Sequence, residues 1–263
     1  MLDRLQGFLN RLTAGALPPP RCALAPSTPA APNSGKSGWN VLLIHAHPLK
    51  DSYSAALARA TEDGLRAGGH CVSRWSVYAW VPRGGVLQAA LSADERVAYY
   101  GKSVEAPSGR PALPPDIAPF VDELLSCDAV VFVYPTWWFS LPAALKGLID
   151  RTFVPGVAFF LPSPSPSAPS TGATGLVAGL TNVKRVGAVT TYGAPRHIAA
   201  LAGDGGNALL GRALLPLYHP ECTISWLGLY SLHASQHEER RAFLQTVFEH
   251  YRDDFLPPAT RAD

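Results

Sequence analysis

Three short runs combine hydroxyls, aromatics and turn residues at spacings that could do chemistry. His47-Pro48-Leu49-Lys50-Asp51-Ser52-Tyr53-Ser54 is polar and leads into a segment with helical apolar spacing. Hydroxyls beside the free N–H groups of a first helical turn receive a phosphate, with the helix dipole assisting, so His47, Ser52, Tyr53 and Ser54 are candidate phosphate ligands. In Tyr134-Pro135-Thr136-Trp137-Trp138-Phe139-Ser140-Leu141-Pro142, an apolar run ends in three successive aromatics. Three in a row cannot all face inward, and a planar ligand accounts for them, which makes Pro135, Thr136, Trp137, Trp138 and Phe139 candidate ring contacts. Thr190-Thr191-Tyr192-Gly193-Ala194-Pro195 is a hydroxyl-rich turn whose glycine permits close backbone approach. Donors from Thr190, Thr191, Tyr192 and Gly193 can stabilise negative charge that develops on a bound ring.

A phosphate cradle, an apolar wall and a set of donors together suit an isoalloxazine ring, whose polar edge needs N–H donors and whose faces need apolar cover. Each run also has an ordinary structural reading. A histidine after a strand is often a capping group, Trp137-Trp138-Phe139 also suits core packing against a neighbouring helix, Ser140-Leu141-Pro142 is an acceptable helix start, and Thr190-Thr191 alone is an unremarkable strand end.

Other chemistries lack their signatures. The four cysteines, Cys22, Cys71, Cys127 and Cys222, form no CxxC pair and no Cys/His cluster at zinc spacing, so no metal site is expected and the thiols read as reduced and intracellular. Phosphate-loop and nucleophile-elbow patterns are absent, and Gly203-Asp204-Gly205-Gly206 follows no strand and reads as a helix interruption. Lys plus Arg total 22 against 20 for Asp plus Glu, a net charge of +2 that argues for neither nucleic acid nor an anionic membrane. No apolar run approaches the roughly 18 residues that span a bilayer, so no membrane insertion is expected.

The elements that must position these runs follow from periodicity. Short apolar runs alternate with amphipathic segments from Trp39 onward, which predicts βα units on a parallel sheet. Five strands are expected at Asn40–Ala46, His70–Val77, Ala129–Tyr134, Lys184–Thr190 and Thr223–Leu229. Helices are expected at Ser54–Ala67, Ala93–Lys102, Ile117–Ser126, Pro142–Thr152, His197–Leu217 and Ser235–Arg252. The first, third and fourth strands are nearly all apolar, as central strands covered on both faces must be. The fold class is thus α/β, a three-layer doubly wound five-stranded parallel sheet in a single domain over 39–255, with a tail at 256–263. Residues 1–38 read as a short amphipathic helix on a disordered Pro/Ala/Ser/Gly leader, and 161–175 as a mobile Pro/Ser-rich loop. The expected location is cytoplasmic, or organellar if the leader is a targeting peptide.

On these motifs the sequence resembles the flavodoxin-like NAD(P)H:quinone oxidoreductase family. The resemblance rests on Val41-Leu42-Leu43-Ile44-His45-Ala46-His47-Pro48 leading into Asp51-Ser52-Tyr53-Ser54, on Asp128–Pro135 with Trp138-Phe139 and Leu141–Gly147, and on Val189–Gly193. It implies a bound flavin, FAD slightly ahead of FMN, held at its phosphate side by the first run, along the isoalloxazine by the second and at the pyrimidine edge by the third. It further implies NAD(P)H as co-substrate, two-electron transfer to a quinone-like acceptor by alternating occupancy of one pocket, and a homodimer. The chain departs from the family at Tyr53-Ser54, where Phe-Asn is familiar, at Ser140 in place of Gly, and at Tyr192 in a Thr-Thr-Gly-Gly turn. The Tyr and His that form a charge relay in mammalian members have only Tyr192 and His197 as candidate counterparts here. Two rival functions are a flavin-binding regulatory subunit of a membrane transport protein and a flavodoxin-like electron carrier; such carriers are usually acidic, and this chain is not.

Overall fold

The computed structural model describes residues 38–78, 87–99, 113–161 and 175–257. Residues 1–37, the low-complexity segment 162–174 and residues 258–263 lie outside them, and with them most of the expected leader, loop and tail. Gly38, assigned to the leader by composition, is buried with the domain.

Five strands build one sheet: β1 (Asn40–His45), β2 (Cys71–Ser76), β3 (Ala129–Pro135), β6 (Arg185–Thr191) and β7 (Thr223–Leu229). They run parallel in the order β2-β1-β3-β6-β7. The three strands read as apolar from the sequence are the three central ones. β1 and β3 alternate between two cores, because successive side chains point to opposite faces. Leu42, Ile44, Val130 and Phe132 enter one core with Phe120, Leu145 and Leu148. Val41, Leu43, Val131 and Val133 enter the other with Leu57, Leu65, Val247 and Tyr251.

The helices on the first face are α3 (Ala118–Ser126) and α4 (Ala143–Thr152); those on the second are α1 (Tyr53–Ala67) and α7 (His237–Glu249). A short α2 (Ala93–Ala98) lies in the excursion after β2, opened by a capping box of Ser92 and Glu95. It ends before the expected Lys102, and residues 100–102 lie outside the described ones. Two paired two-residue strands, β4 (Phe159–Phe160) and β5 (Val177–Ala178), are too short to show any alternation in the sequence.

The helical segment expected over His197–Leu217 is interrupted at its glycine cluster. α5 (Arg196–Leu201) stops where Gly203 and Asp204 take φ of 90° and 40°, and α6 (Gly205–Ala208) starts after them. A π-helical turn at Leu209–Ala213 and a 3-10 turn at Leu215–Leu217 complete the segment, the latter containing Pro216, which cannot supply a helical N–H. The last helix likewise ends at Glu249 and continues as a π-helical His250–Asp254.

The excursion is tied down by a buried guanidinium. Arg151 on α4, 4% exposed, donates from Nε to Glu95 at 2.7 Å and from Nη1 and Nη2 to Asp116 at 2.6 and 2.9 Å. Nη1 also donates to the Gln88 carbonyl at 2.8 Å. Close by, Gly147 faces the Ala89 backbone so tightly that a Cβ would overlap the Ala89 carbonyl. Burial pushes the Glu95 carboxyl up, but hydrogen bonds from Ser92 and Arg151 outweigh it and hold the group below its usual range. Removing one partner of a buried pair strands the other charges, a loss of about 3 kcal/mol. Arg151→Met is therefore expected to lower unfolding free energy by about that amount in urea titration; an unchanged midpoint would show that the excursion is held some other way.

Candidate functional site

β1 sits between β2 and β3, so the chain leaves it on one side and returns on the other. In sheets of this kind the loops at the carboxyl ends diverge at such a point, and the crevice between them is the ordinary ligand site. All three candidate runs lie at this end.

In the first, Ser52 caps α1: its backbone is extended, its Oγ accepts the Ala55 N–H at 3.1 Å, and its hydroxyl donates to the Leu49 carbonyl at 2.9 Å. His47 accepts the Leu49 N–H at Nδ1, 3.0 Å away, so in the neutral ring the proton resides on Nε2. Ser54 is 4% exposed and its hydroxyl has no protein partner. Tyr53 turns elsewhere: its hydroxyl donates to the Arg240 carbonyl at 2.8 Å, joining α1 to α7, and burial raises its pKa to about 12 against the opposing charge of Arg240. Beneath this run lies His45, 3% exposed, with an unpartnered Nε2. Burial, then the charges of Arg74, His47 and Arg59, lower its pKa from 6.5 to about 4.

In the second run, Trp137 and Ser140 exchange backbone hydrogen bonds, each at 3.1 Å. The two residues between them, Trp138 and Phe139, have φ of 50° and 59°. Positive φ at both central positions is the type I′ pattern, which Gly and Asn normally fill. Bulky aromatics there cost of order 1 to 3 kcal/mol each, a strain found most often where a ligand or reaction requires it. Trp138 is 95% exposed and Trp137 41% exposed. The Trp137 ring stands 6.2 Å from that of His47, centroid to centroid, so the first and second runs meet.

The third run joins the second at its base. The Thr136 N–H donates to the Thr191 carbonyl at 2.8 Å, and the Thr136 and Thr190 hydroxyls are 3.0 Å apart. Thr190 and Thr191 are buried, whereas Gly193 is exposed. Tyr192 is 1% exposed and stacks on Tyr230, with ring centroids 4.3 Å apart and planes at 10°. Its hydroxyl lies 3.1 Å from both carboxylate oxygens of Asp204. Burial, the Asp204 charge and neighbouring tyrosines push its pKa far up. His197 lies exposed in the first turn of α5.

A fourth loop, after β7, escaped the sequence reading although it too follows a strand at the same sheet end. Arg240 pins it by donating to Ser235 Oγ at 2.9 Å and to the Leu232 and Ser235 carbonyls at 3.2 and 2.9 Å. The loop brings His233 to the third run: a Cβ on Gly193 would lie 3.4 Å from its Nε2. Asp204 was also missed, because a lone acid between glycines carries no signal of its partner 12 residues away. Among the described residues no group of His, Cys, Asp and Glu is placed to hold a metal ion, and no helix is long and apolar enough to cross a membrane.

This architecture has known relatives. Residues 39–253 match the flavodoxin-2 family model, whose description is a flavodoxin-like fold, and the chain belongs to that family. Among curated proteins, ribosyldihydronicotinamide dehydrogenase [quinone] of Pongo abelii is 33% identical over 130 residues, 48% of this chain and 56% of that protein. NAD(P)H dehydrogenase [quinone] 1 of Rattus norvegicus is 28% identical over 123 residues, 45% of this chain and 44% of that protein. The matches thus span about half the length of these relatives. Of solved structures, the NAD(P)H:quinone oxidoreductase from Methanothermobacter marburgensis superposes with TM-score 0.63 at 19% identity, covering 82% of this chain and 96% of that one. An FMN-dependent NADH-azoreductase from Bacillus anthracis, solved with FMN, superposes with TM-score 0.56 at 16% identity over 81% of this chain and 97% of that one. At these identities the superpositions establish the shared fold.

The buried His45 generates a pH prediction. Its folded pKa lies below its unfolded value, so between pH 6.5 and about 4 the unfolded chain takes up a proton that the folded chain refuses. Stability from this group is complete above pH 6.5 and declines on acidification by roughly 3 kcal/mol. His45→Leu is expected to flatten that limb of the stability profile measured by denaturant titration; an identical slope in both proteins would contradict the assignment.

Proposed function

We propose that the protein is a flavin-dependent oxidoreductase that takes a hydride from NAD(P)H and passes two electrons to a quinone-like acceptor. The observation that carries this reading is the meeting of a strained, exposed aromatic turn, Trp137–Ser140, with the capped N-terminus of α1 beside it. The residues present fit such a cofactor. The unpartnered Ser54 hydroxyl and the Tyr53 and Ser54 N–H groups in the first turn of α1 would hold its phosphate, with His47 Nε2 as a further donor. Ser52 acts by capping that turn, and Tyr53 contributes its N–H while its hydroxyl serves the α1–α7 contact.

Pro135, Thr136, Trp137, Trp138 and Phe139 would wall the ring, and Thr190, Thr191 and Gly193 would line its polar edge. When bound, the flavin supplies the hydride-accepting and two-electron chemistry. The chain's own share is to orient stacked rings, exclude water with its tryptophans and place donors where negative charge develops. Tyr192 serves this site through its position, since its hydroxyl is committed to Asp204. His197 stands at the open end of α5, and no step of this reading depends on its proton.

Trp138 and Leu49, 95% and 66% exposed beside the crevice, support closure of the site by a second copy of the chain. Cys71, Cys127 and Cys222 are free thiols, which supports a reducing, cytoplasmic setting. FAD is the expected flavin by the family resemblance, whereas the Bacillus anthracis azoreductase was solved with FMN.

The test is the absorbance spectrum of the purified protein after incubation with FAD or FMN and removal of excess. Anaerobic NADH or NADPH is expected to bleach the flavin bands and a quinone to restore them, with chromatography of the released cofactor naming it. Trp138→Ala is expected to raise the flavin Kd by about tenfold, the weight of one stacked aromatic contact. Absence of binding at excess flavin would sink the reading.

A further inference from the structure

The Gly203–Gly206 corner that interrupts the helix touches both walls of the site. Asp204 accepts the Tyr192 hydroxyl of the third run at 3.1 Å through each oxygen, and the next residue, Gly205, donates its N–H to the Phe139 carbonyl of the aromatic turn at 2.7 Å. Two adjacent residues therefore hold both of these loops. Two of its glycines, Gly205 and Gly206, leave no room for a side chain. A Cβ on Gly205 would press on Ser140 Oγ at 3.0 Å and the Phe139 carbonyl at 3.2 Å, and one on Gly206 would meet the Tyr134 hydroxyl.

The loops are already joined at their base by the Thr136 to Thr191 hydrogen bond, so the corner closes a second connection further out. A turn with two bulky residues at positive φ persists only where its surroundings over-determine it, and the Gly205 N–H grips one of those two residues. Tyr192 is itself fixed from three sides: by the stack on Tyr230, by its N–H to the Leu229 carbonyl at 2.8 Å, and by Asp204.

We propose that Asp204 is a positioning residue: by receiving Tyr192 and seating Gly205 on Phe139, it sets the gap between the third loop and the aromatic turn into which the flavin ring fits. This rests on the flavin reading above. Tyr192 is then one half of a clamp whose other half is the corner. The clamp works through a hydrogen bond to an acceptor oxygen, so an amide at position 204 can replace the carboxylate while a methyl cannot.

The experiment compares Tyr192→Phe, Asp204→Ala, Asp204→Asn and the double variant Tyr192→Phe/Asp204→Ala. Amide hydrogen exchange is measured on the flavin-free proteins, and the Kd for FAD and FMN is measured by fluorescence. Tyr192→Phe and Asp204→Ala are each expected to speed exchange at Trp137, Ser140 and Gly205 at least tenfold and to raise the flavin Kd at least tenfold. Asp204→Asn should stay within threefold of wild type in both, and the double variant should be no worse than the worse single one, as for two partners of one interaction. Unchanged exchange and Kd in Tyr192→Phe would overturn the proposal, as would an Asn variant as damaged as the Ala variant. Should Asp204→Ala fail to fold, the Phe and Asn variants decide alone. If wild type binds no flavin, the functional reading fails, and the exchange arm still decides whether Asp204 holds the turn.

Discussion

The site depends first on the register of one strand pair. β3 and β6 align so that Tyr134 lies beside Thr190 and Pro135 beside Thr191, and the ladder runs one residue further through the Thr136 N–H. Because the strands are parallel, both chains leave the sheet at the same level and in the same direction. The aromatic turn and the hydroxyl-rich turn must therefore rise side by side. A one-residue slip would move every side chain of β6 to the opposite core, and Val186, Ala188 and Thr190, all buried, leave no room for that. The first run then joins the other two because β1 neighbours β3 on its other side.

What this frame supports is a costly local geometry. Tryptophan and phenylalanine at consecutive positive φ values, one of them almost wholly exposed, contribute little to the fold and oppose it by their backbone strain. The surroundings hold them through the reciprocal Trp137–Ser140 bonds and through Gly205. An apolar ring face presented to solvent at such expense is explained by a flat partner that covers it. At the other end of the crevice, the capped helix terminus and the unpartnered Ser54 hydroxyl suit an anion. The distribution of polar and apolar surface thus matches a ligand with a charged tail and a planar head.

Much of this was legible in the sequence because its causes are local. Apolar runs of strand length identify β1, β3 and β6 as central, since only strands covered on both faces lack alternation. Ser92 announces its helix by side-chain capping, which acts over three residues. The illegible parts have non-local causes. Arg151 meets Glu95 and Asp116 across 56 and 35 residues, and Tyr53 spends its hydroxyl on a carbonyl 187 residues away. In the sequence Tyr192 reads as a ring-facing donor, but the fold encloses it between Tyr230 and Asp204. The glycine cluster is legible as a break in a helix, yet the purpose of the break lies in what its two central residues touch.

The central claim is that the three loops form one flavin site, and amide hydrogen exchange of the wild-type protein with and without saturating FAD tests it most directly. Binding is expected to slow exchange together at Tyr53 and Ser54 in the first turn of α1, at Trp138 and Phe139 in the aromatic turn, and at Gly193 in the third loop. Protection confined to some other surface, or to only one of the three loops, would contradict the account.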